Sequence, residues 1–398
     1  MFSFSQLPPL GLYIHIPWCV RKCPYCDFNS HEARLPLDES AYIDALIRDL
    51  EQELPQTWGR RVVSIYIGGG TPSLISPTQI GRLISQIRAR LNCIPGIEIS
   101  LEANPGTINP ATLSGLREAG INRLSIGVQS FDNTSLQQLG RIHDEQEARN
   151  AVDAAREAGF SNMNLDLMFG LPQQSMAMAL DDLSSAIDLA PTHLSLYQLT
   201  IEPNTVFHVH PPSLPEEDMI WEMQQALHDK LKAGGYLHYE VSAFSRPGSP
   251  CQHNQNYWQF GDYIGIGAGA HGKITTPDEV RRYWKLKQPK AYMDHAGSDK
   301  AIGGQHTLNR SDMVFEFMLN AMRLRQGFSP ALFQAHTGLP VSAAEPALHL
   351  AEEKKLITWT PTLIQPTELG HRFLNDLLQL FLHCEEPGQN IQVEHSRS

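Results

Sequence analysis

Three cysteines fall within one short stretch, Cys19-Val-Arg-Lys-Cys23-Pro-Tyr-Cys26. Thiolates spaced C-x3-C-x2-C can converge on one inorganic core. Three sulfurs are one short of the four protein ligands that fill a cubane cluster when it only carries electrons, so one iron would stay open to another ligand. The same cysteines with His15 or His31 could instead form a Cys3His zinc site. A disulfide framework does not fit, because six cysteines in 398 residues are too sparse.

Such a loop needs a rigid base. The run Leu12-Tyr-Ile-His-Ile-Pro17 before the cysteines reads as a buried strand, so the cysteines leave its C-terminal end. In barrels of alternating strands and helices that end carries the chemistry. Further strands are predicted over 62–67, 97–102, 123–128, 162–168 and 193–201, with helices over 39–54, 77–91, 110–119, 145–158, 176–189 and 216–233. Pro77 and Pro110 stand where a first helical turn tolerates proline. Six strand–helix units imply an α/β fold with a parallel sheet, a partial (β/α)6 TIM-like barrel, since a closed barrel takes eight. The predicted strand ends carry Gly68-Gly69-Gly70-Thr71, Glu102, Gln129 and Asp166, polar groups facing the same mouth as the cysteines.

The barrel is expected over 1–235, followed by an irregular, Gly- and aromatic-rich flanking segment over 236–296 and a linker over 297–310. A small winged-helix-like α+β module is expected over 311–383, with helices near 312–325, 329–336, 341–355 and 367–382 and a two-stranded wing near 356–365. A disordered tail is expected over 384–398. The net charge of -12 argues against a general nucleic-acid binder. The run Arg281, Arg282, Lys285, Lys287 and Lys290 reads as a solvated face. With no segment of about 20 apolar residues and no export signal at the start, no transmembrane segment is expected and the cytoplasm is the expected location.

The cysteine motif with its aromatic Tyr25, followed by Gly68-Gly-Gly-Thr-Pro72, resembles the radical S-adenosylmethionine superfamily. Tyr13-Ile-His-Ile-Pro17, Gly127-Val-Gln129-Ser130, Leu139-Gly-Arg141 and Asp166-Leu-Met-Phe-Gly170-Leu-Pro172 resemble the oxygen-independent coproporphyrinogen III oxidase branch, over nearly the whole chain. The resemblance implies that Cys19, Cys23 and Cys26 hold a [4Fe–4S] cluster whose fourth iron is chelated by S-adenosylmethionine. It further implies contacts to S-adenosylmethionine from Tyr13, Tyr25, Gly69, Gly70, Thr71, Glu102, Gln129, Arg141 and Asp166, with Thr200 and His271 aligned less securely. A reductant for the cluster follows from the same resemblance.

The oxidases of this branch carry C-x3-C-x2-C-x-C, and here the last of those positions is Phe28, which cannot ligate a metal. The chain carries His253-Asn-Gln-Asn-Tyr257-Trp258 instead, preceded by Cys251. Alone this is an aromatic-rich loop with a packed histidine. H-N-x-x-Y-W also resembles the signature of the HemW group of heme chaperones. That resemblance implies heme as ligand, His253 as axial ligand ahead of Cys251, Tyr257 and Trp258 as flat apolar surface, and transfer to an acceptor such as a b-type heme or respiratory protein. The expected function is therefore a heme chaperone on a cluster-binding and S-adenosylmethionine-binding scaffold. Radical decarboxylation of coproporphyrinogen III and a zinc-stabilised binding domain stand as alternatives.

Overall fold

The structure, a computed structural model, describes residues 2–33 and 36–382. The tail expected over 384–398 lies outside the described residues. β1 (Leu10–Ile16) alternates Leu12, Ile14 and Ile16 into a fully covered interior. Two short strands, β2 (Trp18–Cys19) and β3 (His31–Glu32), pair across the cysteine loop. The chain then alternates α1 (Glu39–Thr57), β4 (Arg61–Gly69), α2 (Pro77–Arg90), β5 (Asn92–Ala103), α3 (Pro110–Glu118) and β6 (Arg123–Gln129). After α4 (Asn133–Gln138) and α5 (Glu145–Glu157) come β7 (Asn162–Phe169), α6 (Met176–Asp188) and β8 (His193–Gln198). β1, β4, β5, β6, β7 and β8 lie side by side in that order, all parallel. These six parallel strands are the partial barrel expected from the sequence.

α7 (Val206–Val209) and α8 (Glu217–Ala233) complete the last unit. The segment 236–296, expected to be irregular, is instead ordered. β9 (Leu237–Glu240) and β10 (Ala243–Ser245) extend the β8 edge antiparallel. After α9 (Gln252–Trp258), β11 (Asp262–Ile266) runs parallel to β1 on its other side. β12 (His271–Thr275) and β13 (Val280–Lys285) follow antiparallel, then α10 (Pro289–His295). The expected linker 297–310 carries β14 (Ile302–Thr307), paired to β13, so the sheet reaches twelve strands. The glycines that read as irregular make these strands possible. A Cβ on Gly265 would stand 1.8 Å from the His271 carbonyl oxygen, and one on Gly272 would stand 2.2 Å from the Tyr283 ring.

The basic run in β13 is not one solvated face. Lys285 is buried and donates to Asp49 at 2.6 Å and Glu53 at 2.7 Å. Arg282 pairs with Glu316 at 2.6 Å. The C-terminal module holds α11 (Arg310–Ala321), α12 (Pro330–Thr337), α13 (Glu345–Glu353), the wing β15 (Ile357–Trp359) and β16 (Ile364–Pro366), and two short helices, α14 (Glu368–Arg372) and α15 (Leu374–Gln379). Phe317 centres its core, edge-on to Phe328 and Phe333 at 4.9 Å each. Phe260, from the turn after α9, joins that core and ties the module to the barrel. Among the described residues no helix is long and apolar enough to cross a membrane.

Candidate functional site

The cysteine loop is clamped from three sides. Backbone bonds run from Gly70 N to Ile16 O and from Thr71 N to Trp18 O, 2.7 Å each, so the Gly triplet grips the end of β1. A Cβ on Gly70 would stand 2.6 Å from the Trp18 carbonyl oxygen, which is why glycine is required at this approach. From α7, Phe207 N donates to Pro24 O at 3.0 Å. From the loop after α4, Arg141 reaches Cys23 Sγ at 3.7 Å and Gly127 O at 2.7 Å.

Cys19, Cys23 and Cys26 are free and half-buried, and all three line one cavity of about 340 Å³. Burial pushes the Cys19 and Cys26 thiols upward. Among the described residues, no three His, Cys, Asp or Glu side chains converge closely enough to hold one metal ion. Both candidate zinc histidines are engaged elsewhere. His15 meets the Tyr13 hydroxyl through Nδ1 and Asn29 O through Nε2, at 2.9 Å each, and His31 Nε2 lies 3.3 Å from Lys287 O. A cubane sets a different requirement, because each thiolate takes its own iron and the sulfurs stand around the cluster. The donor set therefore fits a [4Fe–4S] cluster and, among the described residues, lacks the fourth ligand of a zinc site.

The same cavity is lined by Tyr25, Gly69, Gly70, Thr71, Glu102, Gln129, Arg141 and Asp166. Glu102 accepts from Tyr66 Oη at 2.9 Å and from Gly69 N at 3.0 Å. Burial outweighs both bonds and pushes its carboxyl up to about 7. With the amides of Gly69, Gly70 and Thr71 already bonded, these residues can offer a ligand carbonyl oxygens, acceptors that suit an ammonium group. Gln129 sits at φ +69° where the β6–β7 register shifts, a bulge that re-aims its side chain at the strand end. A [4Fe–4S] cluster bound here would be held by Cys19, Cys23 and Cys26 and would supply an electron-accepting centre.

Three expected contacts lie outside this lining. Tyr13 is half-buried behind β4, with its hydroxyl on His15. Thr200 is exposed beyond β8, and His271 is exposed at the start of β12, stacked on Trp284 at 6.1 Å. Conversely, the cavity is lined deeper by strand residues that sequence reasoning passed over, among them Arg123, Ser125, Asn164, His193 and Ser195. Their signal was polarity at alternate positions of strands already identified, which marks the inward face.

The H-N-x-x-Y-W motif is not a loop but helix α9, packed against β1, β4 and β11. His253 is 8% exposed, with Nδ1 3.1 Å from Ser64 Oγ and its ring stacked on Tyr66 at 5.2 Å. Burial lowers its pKa to about 4, so the imidazole is neutral at ordinary pH. Tyr257 packs on Trp258 and Tyr263 at 5.0 and 5.3 Å. The Arg323 guanidinium covers Trp258 at 4.3 Å. Cys251 is buried at the N-cap of α9, its thiol 3.6 Å from Glu98 Oε1 and pushed up to about 11 by burial. Phe28 is 60% exposed at the cavity mouth.

Comparison with known proteins agrees with this architecture. The Radical SAM superfamily model matches residues 13–186, and the HemN C-terminal domain model matches residues 308–373. The chain is 48% identical to the heme chaperone HemW of Escherichia coli (strain K12), covering 95% of this chain and 99% of that one. It is 46% identical to the Haemophilus influenzae heme chaperone HemW over 95% and 99% of the two chains. With the Bacillus subtilis protein of that name it is 33% identical over 93% and 98%. Among solved structures it is similar to the coproporphyrinogen III oxidase HemN of Escherichia coli, described as a radical SAM enzyme. The TM-score is 0.80 at 26% identity, over 95% of this chain and 91% of that one. The cysteine loop, the cavity beneath it and this full-length similarity agree that the chain belongs to the HemW heme chaperone family of radical SAM proteins.

Proposed function

We propose that this protein is a heme chaperone, which binds heme and hands it to an acceptor protein, with a [4Fe–4S] cluster and S-adenosylmethionine held at the barrel mouth. The observation that carries this reading is the 48% identity to the Escherichia coli heme chaperone over nearly both whole chains, against 26% to the oxidase. Phe28 supports it, since a phenyl group occupies the position where the decarboxylase resemblance asks for a sulfur. The acceptor fits a b-type heme or respiratory protein, and the cytoplasm, with a reductant for the cluster, is the setting that suits it. Decarboxylation of coproporphyrinogen III is the second reading, favoured by the structural match to the oxidase.

His253 is the proposed axial ligand. A ligating histidine usually has its second ring nitrogen held by a neighbour, and Ser64 Oγ stands 3.1 Å from Nδ1, which leaves Nε2 for iron. The imidazole is already neutral, as ligation requires. Its 8% exposure means that α9 must shift outward for a macrocycle to reach the ring, with Tyr257 and Trp258 supplying flat apolar surface.

An anaerobic hemin titration of the cluster-reconstituted protein, followed through the Soret band, tests this. About one hemin per chain is expected to bind saturably. His253→Ala should weaken binding at least tenfold and shift the band, and Ser64→Ala should have a smaller effect in the same direction. Saturable binding unchanged in His253→Ala would move the ligand elsewhere, with Cys251 next. No saturable binding would return the decarboxylase to first place.

A further inference from the structure

The cavity does not stop at the residues implied for S-adenosylmethionine. It continues down the barrel to the N-terminal ends of the strands, where α9 closes it through Asn254. At that blind end Arg123, the first residue of β6, is 2% exposed and lines the cavity. Its guanidinium makes no hydrogen bond to any described residue. The nearest opposite charge is Glu98, whose Oε2 is 4.0 Å from Nε, and Nε is sealed without a partner.

Most of the surrounding polar groups are already matched to one another, and Glu98 faces the guanidinium only at ion-pair distance, beyond a hydrogen bond. His193 meets Asn164 Oδ1 at 2.6 Å and the Tyr239 hydroxyl at 2.7 Å. Asn164 Nδ2 donates to Ser125 Oγ at 2.7 Å and Asp166 Oδ1 at 2.8 Å. Glu98 accepts Gln252 N at 2.9 Å on Oε1, while its Oε2 is the oxygen 4.0 Å from Arg123. Asn254, half-buried on α9, lines the same space and stands outside this network. A buried guanidinium with unmatched donors is costly unless something is meant to meet it.

We infer that the blind end is a carboxylate-binding site, in which the Arg123 guanidinium takes a ligand carboxylate in fork geometry and the Asn254 amide donates a further bond. The planar fork of arginine matches a carboxylate bidentately. Asp166, the nearest other acid lining this end, has its oxygens taken by Ser125 and Asn164. Burial also pushes its carboxyl upward, so it opposes an incoming anion weakly. With the mouth given to the cluster and S-adenosylmethionine, a cavity of about 340 Å³ leaves room here only for a small group. The carboxylate is either a free short-chain acid or a propionate arm reaching in from a tetrapyrrole at the mouth. The site assigns a task to the second residue of the H-N-x-x-Y-W motif that heme ligation does not.

The test uses the cluster-reconstituted full chain and two probes. Propionate binding is followed by saturation-transfer NMR. Hemin is compared with hemin dimethyl ester, whose propionates are masked, by Soret titration. The wild type should bind propionate saturably in the millimolar range, with affinity at least tenfold lower in Arg123→Met and several-fold lower in Asn254→Ala. If the source is a tetrapyrrole arm, Arg123→Met also weakens hemin and leaves the dimethyl ester unchanged. If the source is a free acid, hemin binding is the same in both proteins. Should Arg123→Met not fold, Asn254→Ala carries the comparison. Absence of saturable propionate binding in the wild type, or equal binding in the variants, overturns the inference. Loss of heme binding with propionate binding intact would count against the heme reading alone.

Discussion

Serine at any one of positions 19, 23 or 26 is expected to lower the iron and acid-labile sulfide recovered after anaerobic reconstitution at least tenfold from the roughly four irons of a full cubane. The proposed cluster has only three protein ligands to begin with, and among the described residues no other cysteine lies beside them. Cys251 is buried at the far end of the barrel, and Cys93 lies near the start of β5. Cys93→Ser and Cys251→Ser should therefore keep their iron. The fold should survive in the loop variants, because the loop is held by backbone bonds from Gly70, Thr71 and Phe207 rather than by its thiols. Full iron in Cys26→Ser, or one zinc per chain in place of iron, would contradict the cluster assignment.

Asp262→Ala is expected to be the most destabilising single change, by about 3–5 kcal/mol in urea unfolding. The Asp262 carboxylate has no exposed surface and accepts four hydrogen bonds. They come from Lys273 Nζ at 2.8 Å, Arg60 Nη2 at 2.7 Å, Thr275 N at 2.9 Å and Thr275 Oγ1 at 2.8 Å. Removing it leaves Lys273, itself fully buried, with only the Phe260 carbonyl at 3.0 Å. The site would feel the loss, since Asn256 of α9 donates to the Asp262 backbone carbonyl at 3.0 Å and β11 runs beside β1. Burial alone would raise the Asp262 pKa, but Lys273, Arg60 and the hydrogen bonds outweigh it and hold the group below its ordinary value. Its contribution is thus present above the unfolded pKa of about 4 and is lost as pH falls through the folded value. Wild-type stability should fall in that acid range more steeply than that of Asp262→Asn. A loss under 1 kcal/mol in Asp262→Ala would mean that this buried pair does not hold the sheet together.

The six parallel strands were legible because each is a short apolar run bounded by turn residues, and because Pro77 and Pro110 mark helix starts at the first turn. β11 was not legible. Its residues sit among glycines that look like loop until one sees that Gly265 must lie against His271 and Gly272 against the Tyr283 ring. That contact belongs to strands distant from β1 in sequence, and no local pattern encodes it. The last helix, expected as one over 367–382, breaks at Phe373 into α14 and α15. At the site, the mouth was legible through glycines and lone polar residues at strand ends, whereas the floor was not. Arg123, Ser125, Asn164, His193 and Ser195 carry no signal beyond strand polarity, because only closure of the barrel turns those alternate positions toward one another. His253 was expected on a loop and instead lies on a buried helix, since seven residues rich in Asn and Gln carry little helical signal.

Heme transfer tests the central claim most directly. The hemin-loaded, cluster-reconstituted protein is mixed anaerobically with an apo b-type heme protein, and heme is followed into the acceptor by its spectrum. The expected result is near-stoichiometric transfer, faster than from free hemin at the same concentration and slowed in the Cys23→Ser variant. Heme that stays on the chain, or that reaches the acceptor no faster than free hemin does, would contradict the chaperone reading.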